Sequence, residues 1–87
     1  MSGRWVVILT PAARRDVRRL DSQIKRRVEA TLDRLANDPE SGRLRKLVGR
    51  PESRLRVGDW RVFVELDRPA RAIVVHHILP RGRAYDR

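Results

Sequence analysis

The sequence predicts an α+β fold in the order βααβββ, with a helical hairpin packed on one face of a mostly antiparallel sheet. Three observations lead to this fold class. Residues 54–66 alternate apolar and polar side chains around a central Gly-Asp pair, as a β-hairpin does. Residues 11–37 carry two apolar stripes at helical spacing. Residues 5–9 and 72–79 are apolar runs rich in β-branched side chains, which is typical of buried strands.

The first strand and the first helix are predicted from adjacent signals. The run at residues 5–9 is continuously apolar, so we expect a strand that is covered on both faces. Thr10 then offers an N-cap and Pro11 a first helical residue, and these two signals predict a helix over 11–20.

The second helix follows almost immediately. Asp21 or Ser22 offers its N-cap, and Asn-Asp-Pro at 37–39 ends it, so the helix is predicted over 22–37. Such a short connection makes an antiparallel helical hairpin. The loop beyond is polar, and its two leucines make either a short edge strand or an anchor for the loop. We expect each helix to meet the sheet through its own apolar stripe. The stripe of the first helix is Ala13, Val17 and Leu20, and that of the second is Ile24, Val28, Leu32 and Leu35.

The central hairpin has one apolar face and one basic face. A glycine at the first position of a two-residue loop suits a type II′ turn, and this turn sets opposed side chains on a shared face. The opposed pairs are then Val57 and Trp60, Arg56 and Arg61, Leu55 and Val62, and Arg54 and Phe63. Like charges in direct opposition destabilise a hairpin, so the two opposed arginines predict a bound anion, phosphate above all. A solvated face in an arginine-rich protein is the alternative.

The composition points to an anionic partner. The 87 residues, which we expect to form one domain over 1–87, carry a formal net charge of +10. Residues 43–87 contribute 12 basic and 5 acidic groups, so the predicted sheet is the electropositive half. Nucleic acid, an acidic protein or a membrane surface would fit this charge. Cysteine is absent and no apolar run approaches the length of a membrane span, so we expect a cytoplasmic protein without disulfides.

The side chains available for catalysis favour RNA cleavage without a metal. The acids are scattered, which predicts no metal and no cofactor, and no serine triad is suggested. Arginines can stabilise the charge that grows on a phosphate attacked by its own 2′-hydroxyl. Proton transfer needs another group, for which Tyr85, His76 and His77 are the candidates. We expect the two histidines on opposite faces of the last strand, and Tyr85 has packing on the sheet edge as its alternative role.

Several segments together resemble the RelE/ParE superfamily of toxins from type II toxin–antitoxin systems. They are Leu-Arg-Val-Gly-Asp-Trp-Arg-Val at 55–62, Leu-Arg-Lys-Leu-Val-Gly at 44–49, and His-Ile-Leu-Pro-Arg-Gly-Arg-Ala-Tyr at 77–85. The resemblance covers essentially the whole chain and implies the same βααβββ fold. RelE-type members are ribosome-dependent mRNA endonucleases that an antitoxin holds inactive. ParE-type members inhibit DNA gyrase instead.

The resemblance also implies roles for individual residues. The catalytic positions of the RelE type fall on Arg61, Arg81 and Tyr85, and the RNA-binding positions are expected at Arg54, Arg56, Arg83 and Lys46. The family commonly has His-Arg where this chain has Pro80-Arg81, which argues against a catalytic histidine in the C-terminal segment after the last strand. The implied partners are a cognate acidic antitoxin, the ribosome and mRNA, with no membrane and no small-molecule cofactor. The alternatives are a ParE-like gyrase inhibitor and a non-enzymatic basic module that binds nucleic acid.

Overall fold

The computed structural model describes residues 3–84 and the side chains of residues 3–82. The elements are β1 (Val6–Leu9), α1 (Pro11–Arg18), α2 (Ser22–Asn37), β2 (Leu44–Lys46), β3 (Ser53–Val57), β4 (Trp60–Asp67), β5 (Ala72–Pro80) and α3 (Arg81–Ala84). The strands form one sheet in the order β1-β5-β4-β3-β2. Only the β1–β5 pair is parallel among these strands. The predicted α+β order is therefore confirmed, with β2 as an additional short edge strand.

Side-chain caps fix where the two long helices begin. The Thr10 hydroxyl accepts a hydrogen bond from the Ala13 amide at 3.1 Å. The Asp21 carboxylate accepts one from the Ile24 amide at 3.0 Å, so Asp21 rather than Ser22 is the cap of α2. Helix α2 has the predicted bounds. Helix α1 ends two residues earlier than predicted, because the next amides bond to carbonyls three residues back and tighten the chain.

The hydrophobic core lies between α2, the start of α1 and the covered face of the sheet. The predicted stripe of α2 supplies its helical side: Val28, Leu32 and Leu35 are at most 6% exposed. The apolar face of the hairpin supplies the other side, and β5 completes it with Ile73, Val75 and Ile78. Of the remaining predicted stripe residues, Ala13 is fully buried, whereas Val17, Leu20 and Ile24 are only partly buried at the margin of this core. Within residues 3–84, no helix is both long and apolar enough to span a bilayer.

The hairpin pairs in the predicted register. Val57 lies opposite Trp60, and Arg56 lies opposite Arg61. Gly58 has a φ of +59° and Asp59 has no positive φ, as a type II′ loop requires. The guanidinium of Arg27 lies 3.1–3.4 Å from where a Cβ on Gly58 would be, so a side chain would meet both backbone strain and a close neighbour.

The first strand differs from its prediction. We expected it to be covered on both faces, yet Val6 is 59% and Ile8 45% exposed. The reason is positional: β1 lies at the edge of the sheet, and both long helices cover the face to which Val7 and Leu9 belong. The opposite face of β1 has no layer above it among the described residues.

Replacing Leu35 with alanine tests the packing of α2 on the sheet. Leu35 is fully buried, so the substitution should lower the free energy of unfolding by about 2–5 kcal/mol through lost transfer energy and a residual cavity. Val48→Ala is the control, because Val48 is 100% exposed and should leave the unfolding midpoint unchanged. Equal midpoints for both variants in urea denaturation would contradict this packing.

Candidate nucleic-acid interface

The face of the sheet opposite the helices, here called the open face, carries rows of aligned side chains. Arg45 pairs with Arg54, and Arg54 pairs with Phe63 on the next strand. Phe63 in turn pairs with His77 on β5. A second row runs from Arg56 through its strand partner Arg61 to Leu79, which pairs with Arg61 on β5. Strand alternation places these residues on the open face because their chain neighbours form the core.

Six arginines converge at one end of the open face. They line a cleft of about 360 Å³, here called the arginine cleft: Arg43, Arg45, Arg54, Arg56, Arg61 and Arg81. Arg81, the first residue of α3, is held at this end of the sheet because its amide donates a 2.8 Å hydrogen bond to the Asp59 carbonyl in the β3–β4 turn. Adjacent guanidinium groups of like charge repel one another, and a polyanion seated among them would relieve this repulsion.

Arg61 is the most enclosed member of the cleft. It is only 4% exposed, which is rare for an arginine. Its Nη1 donates to the Trp60 carbonyl at 3.4 Å, while Nε of Arg56 donates to the Gly58 carbonyl at 3.4 Å. The packing and the hydrogen bond to the Trp60 carbonyl hold the Arg61 guanidinium at the wall of the cleft. A group held in this way can meet a developing charge with little rearrangement.

The structure brings most of the predicted site residues together. Arg54, Arg56, Arg61 and Arg81 all line the arginine cleft. Lys46 is not among them: its pairing with Ser53 places it toward the helical side of the sheet, and it lines a separate hollow. Arg83 lies within α3, where its side chain is not described, and Tyr85 lies outside the described residues.

Sequence reasoning missed Arg43 and Arg45. Arg43 immediately precedes the short strand β2, and Arg45 lies within it. Leu44 of this strand pairs with Leu55 of β3. The signal was present as a repeated Arg-Leu-Arg pattern, at 43–45 and again at 54–56. Two antiparallel copies of this pattern bury their leucines on one side and direct their arginines to the other.

The two histidines of β5 do not alternate as predicted. We expected His76 and His77 on opposite faces, but the pairing of β4 with β5 shifts between Phe63 and Val64 and leaves His76 as an extra residue. Such a bulge breaks the alternation of side chains. His76 Nε2 lies 3.1 Å from Glu65 Oε1, and His77 joins Phe63 in lining a pocket of the open face. Both imidazoles therefore belong to the open side of the sheet.

Asp16 joins α1 to the edge of β5. Its Oδ2 accepts a 2.9 Å hydrogen bond from the Ile78 amide and lies 3.5 Å from Nδ1 of His77. This amide lies beyond the end of β1, where β5 has no parallel partner strand. The carboxylate thus satisfies a backbone donor that the sheet leaves open, and it fixes the position of the strand that carries His77.

A separate ion pair lies away from the arginine cleft. Arg68, in the β4–β5 turn, donates a hydrogen bond to Glu40, which follows α2. This hydrogen bond, and secondarily the Coulombic attraction, lower the pKa of the Glu40 carboxyl and raise the pKa of Arg68. The lowered pKa means that any stabilisation is present at neutral pH and is lost as the pH falls through the folded-state value. Both groups are exposed, so the pair contributes little to stability.

Comparisons with known proteins agree with this architecture. Residues 7–85 match the family model described as ParE toxin of type II toxin-antitoxin system, parDE. A structure of the toxin–antitoxin complex RelBE2 from Mycobacterium tuberculosis is similar at 21% identity and a TM-score of 0.82, covering 94% of this chain and 97% of that one. The archaeal RelE–RelB complex from Pyrococcus horikoshii is similar at 25% identity and a TM-score of 0.77, covering 93% and 99%.

An antitoxin-free structure is similar as well. The isolated RelE toxin of E. coli has a TM-score of 0.78 at 12% identity, covering 94% of this chain and 92% of that one. No curated protein matches the sequence. Because the sequence identities are low, these structures are evidence for the shared fold alone.

Proposed function

The chain belongs to the ParE toxin family of type II toxin–antitoxin systems, within the RelE/ParE superfamily, and we propose that it is a metal-independent endonuclease that cleaves ribosome-bound mRNA. The observation that supports this activity is the arginine cleft. Six guanidinium groups on one concave surface suit the backbone of a nucleic acid, because each can contact a phosphate with two parallel hydrogen bonds.

The proposed reaction uses the substrate's own 2′-hydroxyl as the nucleophile. Its oxygen forms a bond to the adjacent phosphorus while the bond to the 5′-oxygen breaks, which leaves a 2′,3′-cyclic phosphate and a 5′-hydroxyl. Arg61 and Arg81 stabilise the charge on the phosphoryl oxygens. Tyr85 takes part in proton transfer, since arginine has too high a pKa to do so. Arg54 and Arg56, with Arg83 of the tail, hold the neighbouring phosphates.

Cleavage of mRNA on the ribosome is the direct test. Purified protein should cut mRNA within ribosomal complexes, and primer extension should map the new ends. The RNA fragments should carry 2′,3′-cyclic phosphates and should form equally well in the presence of a metal chelator. Wild-type protein that is folded, binds ribosomes and leaves the mRNA intact would overturn the proposal.

Substitution of Arg56 separates binding from chemistry. Arg56 is exposed and lines the cleft, so Arg56→Ala should weaken RNA binding and reduce by about one the slope of log affinity against log salt concentration. Arg19→Ala, which removes one exposed positive charge beside α1, is the matched control. An equal change of slope in both variants, measured by fluorescence anisotropy, would show that only net charge matters.

Gyrase inhibition is the second candidate function, and the match to the ParE model favours it. A ParE-like toxin of this fold would block DNA supercoiling by gyrase without cutting RNA. A supercoiling assay beside the cleavage assay distinguishes the two activities in the same preparation. Salt-sensitive RNA binding with neither activity would indicate a non-enzymatic module.

We also propose a cognate acidic antitoxin as the protein partner. Structures similar to this chain are complexes of RelE with RelB. The net charge of +10 supports an acidic partner, whose association should be fast at low salt and slower as salt rises. Expression of the chain alone should arrest growth, and co-expression of an adjacent acidic gene product should restore it. Harmless expression of soluble, folded protein would contradict both toxin activities.

A further inference from the structure

A second hollow opens on the open face beside the arginine cleft. It encloses about 250 Å³ and is lined by Arg50, Glu52, Phe63, His77 and Leu79; we call it the aromatic pocket. Phe63 is the only phenylalanine of the chain and is partly exposed in this pocket. An aromatic ring on an otherwise basic surface offers a flat apolar platform, which phosphate binding alone does not require.

The aromatic pocket and the arginine cleft share their strands. Phe63 pairs with Arg54, and Leu79 pairs with Arg61, so two of the pocket residues adjoin arginines of the cleft. Neighbouring strands lie about 4.8 Å apart, and alternate residues along one strand about 6–7 Å apart. One nucleotide can therefore place its phosphate among the arginines and its base over Phe63.

The chemistry of the pocket suits a base. Single-stranded RNA is bound by stacking of unpaired bases on aromatic side chains and by hydrogen bonds to their edges. Phe63 and His77 supply adjacent rings in one cross-strand pair. Glu52 supplies a carboxylate whose side chain is 25% exposed and whose Oε1 lies 3.9 Å from Nε of Arg50. A carboxylate has about four acceptor positions, so it can also accept from an amino group of a base.

We propose that the aromatic pocket binds the base of the nucleotide whose phosphate occupies the arginine cleft. The base stacks on Phe63 and His77, and Glu52 favours bases that carry an amino group. The inference rests on the proposed function, in that RNA is the ligand. It adds a base-binding site and a direction of preference: cytosine, with its N4 amino donor, is bound more tightly than uracil, which has a carbonyl there.

Short 2′-O-methyl trinucleotides test this site, because they cannot be cleaved by 2′-hydroxyl attack. Three probes of equal charge carry abasic sites at the ends and cytosine, uracil or no base in the middle. In wild-type protein, loss of the middle base should weaken binding about 5- to 50-fold. The change from cytosine to uracil should weaken it about 5-fold, as expected for one hydrogen bond.

Substitutions then assign these differences to residues. Phe63→Leu keeps an apolar side chain and should nearly abolish the difference between the base-containing and abasic probes, with the salt slope unchanged. Glu52→Gln should remove the preference for cytosine while the preference for a base remains. His77→Ala is a second test of stacking, since its side chain is 52% exposed and its loss should not unfold the protein. Val6→Ala, on the far edge of the open face, is the control.

The outcomes separate this inference from the proposed function. Wild-type protein that binds the abasic and base-containing probes equally would overturn the base site and leave phosphate binding in place. Failure of all three probes to bind, with a folded protein, would overturn the base site, whereas the ribosomal cleavage assay decides the proposed function separately. If Phe63→Leu weakens the binding of a polyglutamate peptide but leaves the affinity for every trinucleotide unchanged, the pocket binds an acidic protein partner and the inference is wrong.

Discussion

Arg61→Ala is expected to slow the chemical step of RNA cleavage about 10²–10³-fold, the cost of removing one preorganised donor to a developing oxyanion. Arg61 lines the arginine cleft and is held there at 4% exposure. In the proposed reaction its guanidinium would therefore meet the phosphoryl oxygens without a large change in its own position. Single-turnover cleavage on ribosomes, with enzyme in excess, measures this step apart from product release.

The burial of Arg61 requires a control for folding. Arg61→Lys keeps the positive charge and much of the volume but loses the planar pair of donors, so it should fold and still be impaired. Thermal midpoints for both variants show whether the sheet is intact. Wild-type rates in a folded Arg61→Lys protein would contradict a bidentate role, and wild-type rates in Arg61→Ala would remove the residue from the mechanism.

Tyr85→Phe should lower the single-turnover rate about 10²–10⁴-fold if the phenol transfers a proton in the rate-limiting step. The substitution removes only the hydroxyl and keeps the ring, so a change in rate reports on the hydroxyl alone. Binding of a non-cleavable RNA should stay at the wild-type level. A substrate with a 5′-phosphorothiolate leaving group, which needs no protonation, should restore the rate if Tyr85 is the acid.

The phosphorothiolate result distinguishes the two proton-transfer roles. Restoration assigns Tyr85 to protonation of the leaving oxygen, whereas a persistent defect assigns it to removal of the 2′-proton. Full activity of Tyr85→Phe on the ordinary substrate would exclude the phenol from the chemistry. Tyr85 is the only tyrosine of the chain, so its titration can be followed by absorbance without interference from another phenol.

The hairpin could be predicted to the level of its register, because a glycine at the turn and strict alternation leave little freedom. The same local signals gave the limits of α2 and left its cap to be either Asp21 or Ser22, of which the structure has Asp21. They could not give the exposure of Val6, since an edge strand and a central strand can have the same apolar composition. Position in the sheet depends on which distant segment pairs with it, and that choice is made by the tertiary fold.

The candidate site was predicted in part for similar reasons. Alternation along one hairpin placed Arg54, Arg56 and Arg61 on one face, and the structure has them there. The contribution of Arg45 depended on whether a three-residue strand forms, which a short sequence pattern leaves undecided. The bulge at His76 depends on the register between two strands, and apolar residues on both sides of it conceal the shift.

The parallel pairing of β1 with β5 gives the fold a high contact order. Residues 6 and 72 are partners, so the first strand has no neighbour in the sheet until the last one has been synthesised. Closing so long a loop costs chain entropy before the pairing contributes any stability. The β1–β5 and β4–β5 pairings and the Arg81 side of the cleft therefore form only after β5 leaves the ribosome. A nascent chain still lacking β5 cannot present the complete arginine cleft.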